Sequence, residues 1–178
     1  MQHYDKIVDV YNVQYCEEQV AKIKAALDNI DIDLDNIVLD LGCGIGLLFE
    51  HVKNPAKLLV GLDSSRRLLE MAKRQAKRHP SMTVIRGEAD HIPFRSETFH
   101  TVLAITLLQN MPTPLTTLHE VSRISRDDAT IVVTALKAKF TREAFTRLLE
   151  NAGLTFTILR LNGKLKDHTA ICRLKMEK

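Results

Sequence analysis

From Ile37 onward the chain alternates short apolar runs with amphipathic stretches, and this alternation narrows the possible folds more than any other feature. Ile37-Val38-Leu39, Leu58-Leu59-Val60, Met82-Thr83-Val84-Ile85, the run from Thr101 to Leu108, and Thr130-Ile131-Val132-Val133 each read as a buried strand. Between them, Leu47/Leu48/Val52, Leu68/Leu69/Met71/Ala72, Leu115/Leu118/Val121 and Phe145/Leu148/Leu149 recur at helical spacing. Parallel strands need crossovers, and helices in the crossovers cover the sheet. The expected class is therefore α/β, a doubly wound and mostly parallel sheet with helices on both faces. The end of the chain differs. Thr155 to Leu161 and Thr169 to Leu174 flank Asn162-Gly163, which predicts a terminal β-hairpin and one antiparallel strand.

Before this core, Val13, Cys16, Val20, Ile23, Leu27 and Ile30 predict an amphipathic helix, and the Asp-rich stretch from Asp28 to Asn36 turns the chain. There are no repeats and no Pro/Gly/Ser linkers. Residues 1–178 are expected to form a single domain, with 1–36 as an N-terminal helical segment and 37–178 as the core. With 5% aromatics and no Trp, that core must be aliphatic. No apolar run approaches the ~20 residues of a membrane span, and MQHYDKIVDV lacks the apolar stretch of a signal peptide. Cys16, Cys43 and Cys172 are odd in number and widely spaced, as suits reduced thiols in a cytoplasmic protein. The seven histidines, His91, His100, His119 and His168 among them, show no metal-ligand spacing, so no metal is expected.

Charge is uneven. Residues 1–40 hold nine Asp/Glu against three Lys/Arg, and the rest hold 22 Lys/Arg against 13 Asp/Glu. A basic body attracts nucleic acid or another anion, although a solvated mixed-charge surface explains it equally well. The stretch from Ser64 to His79 carries Arg66, Arg67, Lys73, Arg74, Lys77 and Arg78 against Glu70 alone, and reads either as a phosphate-tracking helix or as a solvated face.

The chemistry concentrates in Asp40-Leu41-Gly42-Cys43-Gly44-Ile45-Gly46, leaving the first strand. Glycines there let the backbone turn tightly and approach a ligand, and a following helix would offer free N–H groups. Asp40 beside this turn would repel a pyrophosphate but suits a ligand carrying an ammonium or sulfonium. Asp63 closes the second strand about 20 residues later, where an acidic residue accepts from ribose hydroxyls. It reads equally as a helix cap, a role open to Ser64 or Ser65.

With Asp40, the glycine turn and Asp63 in register, the chain resembles the class I S-adenosylmethionine-dependent methyltransferases from about Ile37 to Leu174. Gly87-Glu88-Ala89-Asp90-His91-Ile92-Pro93-Phe94 is similar to the GDAxxLPF segment of the branch containing the quinone methyltransferases. The resemblance implies a Rossmann-like sheet of seven strands, S-adenosyl-L-methionine as cofactor and S-adenosyl-L-homocysteine as product. It implies cofactor contacts from Asp40, Gly42, Cys43, Gly44, Gly46, Asp63, Ser64, Ala104, and from Glu88 and Ala89 at the adenine, with Asp90 the competing acid. Phe99-His100-Thr101-Val102-Leu103 matches the family's FDxVx strand with His100 in place of Asp. Beyond it, Gln109 and Asn110 stand where a substrate is held, although Asn110 also reads as a cap for the turn before Met111-Pro112. Ser125-Arg126-Asp127-Asp128-Ala129 replaces the usual LKPGG loop. Leu136-Lys137-Ala138-Lys139-Phe140 has no insertion to roof the substrate, so an open face is expected. Tyr4, Tyr11 and Tyr15 are lid candidates, or packing residues.

The implied function is methyl transfer from S-adenosylmethionine to a nucleophilic acceptor, with a macromolecule (RNA or protein) ahead of a small metabolite. The short chain also resembles catalytic subunits that pair with a small activator. The third strand, near Met82 to Arg86, would then be the sheet edge that receives it. A non-catalytic methyltransferase-like interaction subunit remains open, since no NPPY follows the fourth strand. An NAD-dependent oxidoreductase would share the sheet and Asp63, but Asp40 and the Gly87–Asp90 segment argue against it.

Overall fold

The computed structural model describes residues 13–52, 56–160 and 165–175. Seven strands form one sheet: β1 (Ile37–Leu41), β2 (Leu58–Asp63), β3 (Met82–Arg86), β4 (Phe99–Ala104), β5 (Ser125–Leu136), β6 (Leu154–Ile158) and β7 (Asp167–Leu174). Their order is β3-β2-β1-β4-β5-β7-β6. β7 runs antiparallel to both β5 and β6, and the remaining neighbours are parallel. This is the expected doubly wound sheet with a C-terminal antiparallel hairpin. Asn162-Gly163 at the hairpin tip lies outside the described residues.

Successive residues of each central strand point to opposite faces. Val38, Leu59, Leu103 and Val132 pack with α1 (Val13–Leu27), α2 (Arg66–Ala76) and the turn carrying Leu48 and Phe49. Leu39, Val60, Val102, Ile131 and Val133 pack beneath α3 (Pro114–Ile124) and α4 (Arg142–Asn151). Both faces are buried, which is why the strand sequences are apolar without alternation. At the start of β1, the Ile37 N–H donates to His100 Nδ1 at 3.1 Å, so the histidine ties β4 to its neighbour.

Four local expectations are corrected. The segment after the glycine turn is a single 3₁₀ turn, Leu47–Glu50, and not a full helix. One turn has no appreciable macrodipole, so it offers little to an anion. The fourth strand ends at Ala104, because Thr106 turns the backbone to φ 59°. Ser125 to Ala129 is not a loop: β5 starts directly after α3, with a register shift opposite Phe99 and Thr101. The buried stripe of α1 is Gln19, Lys22, Ile23 and Ala26, rotated from the apolar positions that the sequence singles out.

Gly61 on β2 is fixed by close approach. A Cβ there would meet Phe49 Cζ at 2.7 Å and Cys43 Sγ at 2.9 Å. Gly61→Ala is expected to lower stability by about 1–3 kcal/mol in urea unfolding, the scale of overpacking a tight core.

Candidate active site

The strand order reverses between β1 and β4, the place where open α/β sheets bind ligands. A cleft of about 460 Å³ opens there, among the C-terminal ends of β1 to β4 and the side chains of Gln19 and Ile23 from α1.

The glycine turn forms one wall. The N–H groups of Gly42 and Cys43 both donate to the Leu62 carbonyl, at 2.8 and 3.0 Å, folding the turn over β2. Gly44 has φ 54°, and its N–H donates to Asp63 Oδ2 at 2.9 Å. Asp63 Oδ1 accepts from the Ser65 N–H, also at 2.9 Å. Asp63 thus pins the turn to the start of α2, while Ser65 is the N-cap. Carboxylate oxygens accept more than one bond, so Asp63 at the cleft still has lone pairs for a ligand. Ser64 lines the cleft, whereas Gly46 lies behind it, packed on Phe49 and Ala72.

Asp40 lines the same wall. It is 5% exposed, and no hydrogen bond among the described residues reaches its carboxyl. Burial, and then the charge of Asp63, push its pKa up to about 7. A buried carboxylate without a partner is relieved by a cation placed beside it. The same burial, with Asp40 and Asp63 near, raises the Cys43 thiol well above its ordinary range, so Cys43 is no nucleophile.

Gly87 to Asp90 form the opposite wall. Glu88 stands exposed at the rim and Ala89 is buried. Asp90 accepts from the Thr117 hydroxyl of α3 and is committed to that contact. The segment is held by a clamp that the sequence reading missed. The Ile92 N–H donates to Glu120 Oε2 at 2.7 Å, and Arg123 donates to the carbonyls of Ile92 and Phe94 at 2.9 and 2.8 Å. Arg123 also grips Glu120, holding that carboxyl below its usual range.

At the end of β4, Ala104 is fully buried, and Ile105, Thr106 and Leu107 take the cleft positions instead. A β-branched residue at positive φ is strained, and here all its polar groups are held. The Thr106 N–H donates to Thr134 Oγ1 at 2.7 Å, its hydroxyl to Gln19 Oε1 at 2.6 Å, and its carbonyl accepts from Asn110 Nδ2 at 3.1 Å. Asn110 therefore braces this turn while lining the cleft. Gln109 does not line it, and its Oε1 is buried without a hydrogen-bond partner. Gln19 and Thr106 carried no signal of their own in the sequence, since one is polar on a helix and the other sits in an apolar run. Tyr4 and Tyr11, and the side chain of Tyr15, lie outside the described residues. Among the described residues no three His, Cys, Asp or Glu are grouped to hold a metal, and no helix is long and apolar enough to cross a membrane.

A family model for a methyltransferase domain matches residues 39–133, from the first strand to the fifth. The chain belongs to this methyltransferase-domain family. An uncharacterized protein of Methanocaldococcus jannaschii is 29% identical over 133 residues, 75% of this chain and 50% of that one. The demethylmenaquinone methyltransferase of Anoxybacillus flavithermus is 26% identical over 135 residues, 73% of this chain and 56% of that one. The methyltransferase domain thus spans about half the length of these curated relatives. In a solved complex of the Haloferax volcanii Trm112 methyltransferase activator with its methyltransferase partner, a chain superposes with TM-score 0.76 at 15% identity, covering 92% of both chains. At that identity the likeness concerns the fold.

S-adenosylmethionine is the cofactor that this family and fold imply. The cleft fits it chemically: Asp40 is a buried carboxylate in want of a cation, and Asp63 offers acceptors for hydroxyls.

Proposed function

We propose that the protein transfers the methyl group of S-adenosylmethionine to a macromolecular acceptor, assisted by an activator subunit on the edge of β3. The observation that carries the enzymatic part is the pairing of Asp40 with Asp63 around one glycine turn at the switch point of the sheet. In this reading Asp63 takes the ribose, Glu88 and Ala89 the adenine, and Asp40 the cationic amino-acid end. Ser64 and the glycine turn line the same space.

The bound cofactor supplies a methyl group already activated on a sulfonium. What the chain contributes is placement, and alignment of reacting groups is worth up to ~7–11 kcal/mol in the best intramolecular cases. Thr106, with every polar group held, is a rigid floor for it. At this end the cleft is lined by Gln19, Ile105, Thr106, Leu107, Asn110 and Met111, with no titratable side chain among them. That suits an acceptor whose lone pair attacks before any proton is lost.

Three features support a large acceptor and a partner. Five residues, 137–141, join β5 to α4 without a roof. The exposed face of α2 carries Arg66, Lys73, Arg74, Lys77 and Arg78 beside β3. β3 is a sheet edge, paired only with β2, and the Haloferax volcanii likeness involves an activator complex. The likeness to demethylmenaquinone methyltransferase favours a second reading, a small-metabolite acceptor.

Purified protein, with and without a Trm112-type activator, and labelled cofactor in size-fractionated extract separate the two. Label in large material that nuclease or protease removes supports the macromolecule. Label confined to small molecules, at a useful rate from the isolated protein, rejects it. Absence of S-adenosylmethionine and S-adenosylhomocysteine binding in calorimetry rejects the enzymatic reading altogether.

Asp63→Ala is expected to weaken cofactor binding by about 1.5–3 kcal/mol, the scale of hydrogen bonds to a charged group. Because Asp63 also pins Gly44, the variant should lose stability too. Unchanged affinity in calorimetry would reduce Asp63 to a purely structural pin.

A further inference from the structure

Helix α1 buries two polar side chains, Gln19 and Lys22, against the strand ends. Lys22 Nζ lies 2.5 Å from Asp167 Oδ2 and 3.1 Å from Glu18 Oε1, and it donates to Thr106 Oγ1 at 3.4 Å. An ammonium has only donors, so the Thr106 hydroxyl accepts there and must give its own proton elsewhere. It gives it to Gln19 Oε1 at 2.6 Å. This chain of donors decides which way the Gln19 amide faces: the oxygen is engaged by Thr106, and Nε2 carries the two remaining N–H donors. Among the described residues no protein acceptor meets Nε2, although Gln19 is 7% exposed and lines the cleft. A buried donor left unpaired is costly, so this one is complementary to an acceptor on a ligand.

The ligand chemistry follows from the other polar group without a partner. Asp40 lines the same cleft and calls for a cation. A group with an ammonium and a carboxylate on one carbon satisfies both residues at once. We propose that Gln19 Nε2 binds the α-carboxylate at the amino-acid end of the cofactor, with Lys22 and Asp167 acting as positioning residues that set the amide's orientation through Thr106. This inference rests on the S-adenosylmethionine reading above.

The test compares S-adenosylhomocysteine with its decarboxylated analogue, S-adenosyl-3-thiopropylamine, which keeps the amine, by calorimetry. Gln19→Leu is expected to weaken S-adenosylhomocysteine about tenfold or more while leaving the analogue within about twofold. Gln19→Glu, which sets a carboxylate against a carboxylate, should weaken S-adenosylhomocysteine further and spare the analogue. The double variant Lys22→Met/Asp167→Leu removes the donor chain and should cost S-adenosylhomocysteine alone part of its affinity. Equal losses on both ligands, or no loss, would overturn the assignment while the parent protein still binds both. If the parent binds neither ligand, the cofactor reading falls and the inference falls with it.

Discussion

Asp40→Asn is expected to make the ligand-free protein more stable and a poorer binder of S-adenosylmethionine. In the folded chain the Asp40 carboxyl is pushed up to about 7 from 3.8, by burial first and by Asp63 second. The folded state therefore holds this proton more tightly than the unfolded chain does. The stability it confers is complete below about pH 4 and is lost as pH rises through about 7. Above that pH the protein carries an ionised, unpaired carboxylate in its interior. The neutral amide removes that burden, a gain on the order of 3 kcal/mol at pH 8 that raises Tm by roughly 6–12 °C. Near pH 4 the two proteins should melt alike. A cationic ligand beside Asp40 offsets the same burden, so cofactor affinity in the parent should fall about tenfold per pH unit below 7, with proton release on binding. Melting curves and calorimetry from pH 4 to 8 check both halves. A variant no more stable than the parent at pH 8 would mean that Asp40 is solvated or paired.

Lys22→Ala should be the most damaging single change outside the apolar core. Lys22 and Asp167 side chains are 2% and 0% exposed, and Asp167 has the Lys22 ammonium as its partner and accepts no hydrogen bond. Removing the lysine leaves a buried carboxylate with nothing to balance it, a loss of about 3–5 kcal/mol. Lys22→Met/Asp167→Leu, which takes away both charges and keeps apolar bulk, should unfold in urea near the parent midpoint. A small loss in the single variant would show that water reaches the pair. A large loss in the double variant would show that the ions specify how α1 seats on the sheet.

Much of the sheet was legible because its information is local. A run such as Leu58-Leu59-Val60 is apolar at every position, and only a strand covered on both faces uses such a run. Asp40 and Asp63 were legible for a similar reason: a charge at the end of an apolar strand stands out against its neighbours. The placing of β7 between β5 and β6 also followed from the turn at Asn162-Gly163, since a hairpin must pair antiparallel.

What tertiary structure alone decided is where polar groups found partners. Apolar spacing on α1 pointed to Val20 and Leu27, yet the buried stripe runs through Gln19 and Lys22, because Thr106 and Asp167 wait for them on distant strands. The glycine turn runs into one 3₁₀ turn and not a helix, with Gly46 at φ 83° and Phe49 pressed onto Gly61. Ala104 and Gln109 missed the cleft for want of one fact, the turn of the backbone at Thr106, which is held by Thr134 and Gln19 from elsewhere in the chain. Apolar periodicity is written residue by residue, whereas a buried polar side chain is stable only through a partner, and that partner is brought to it by the fold.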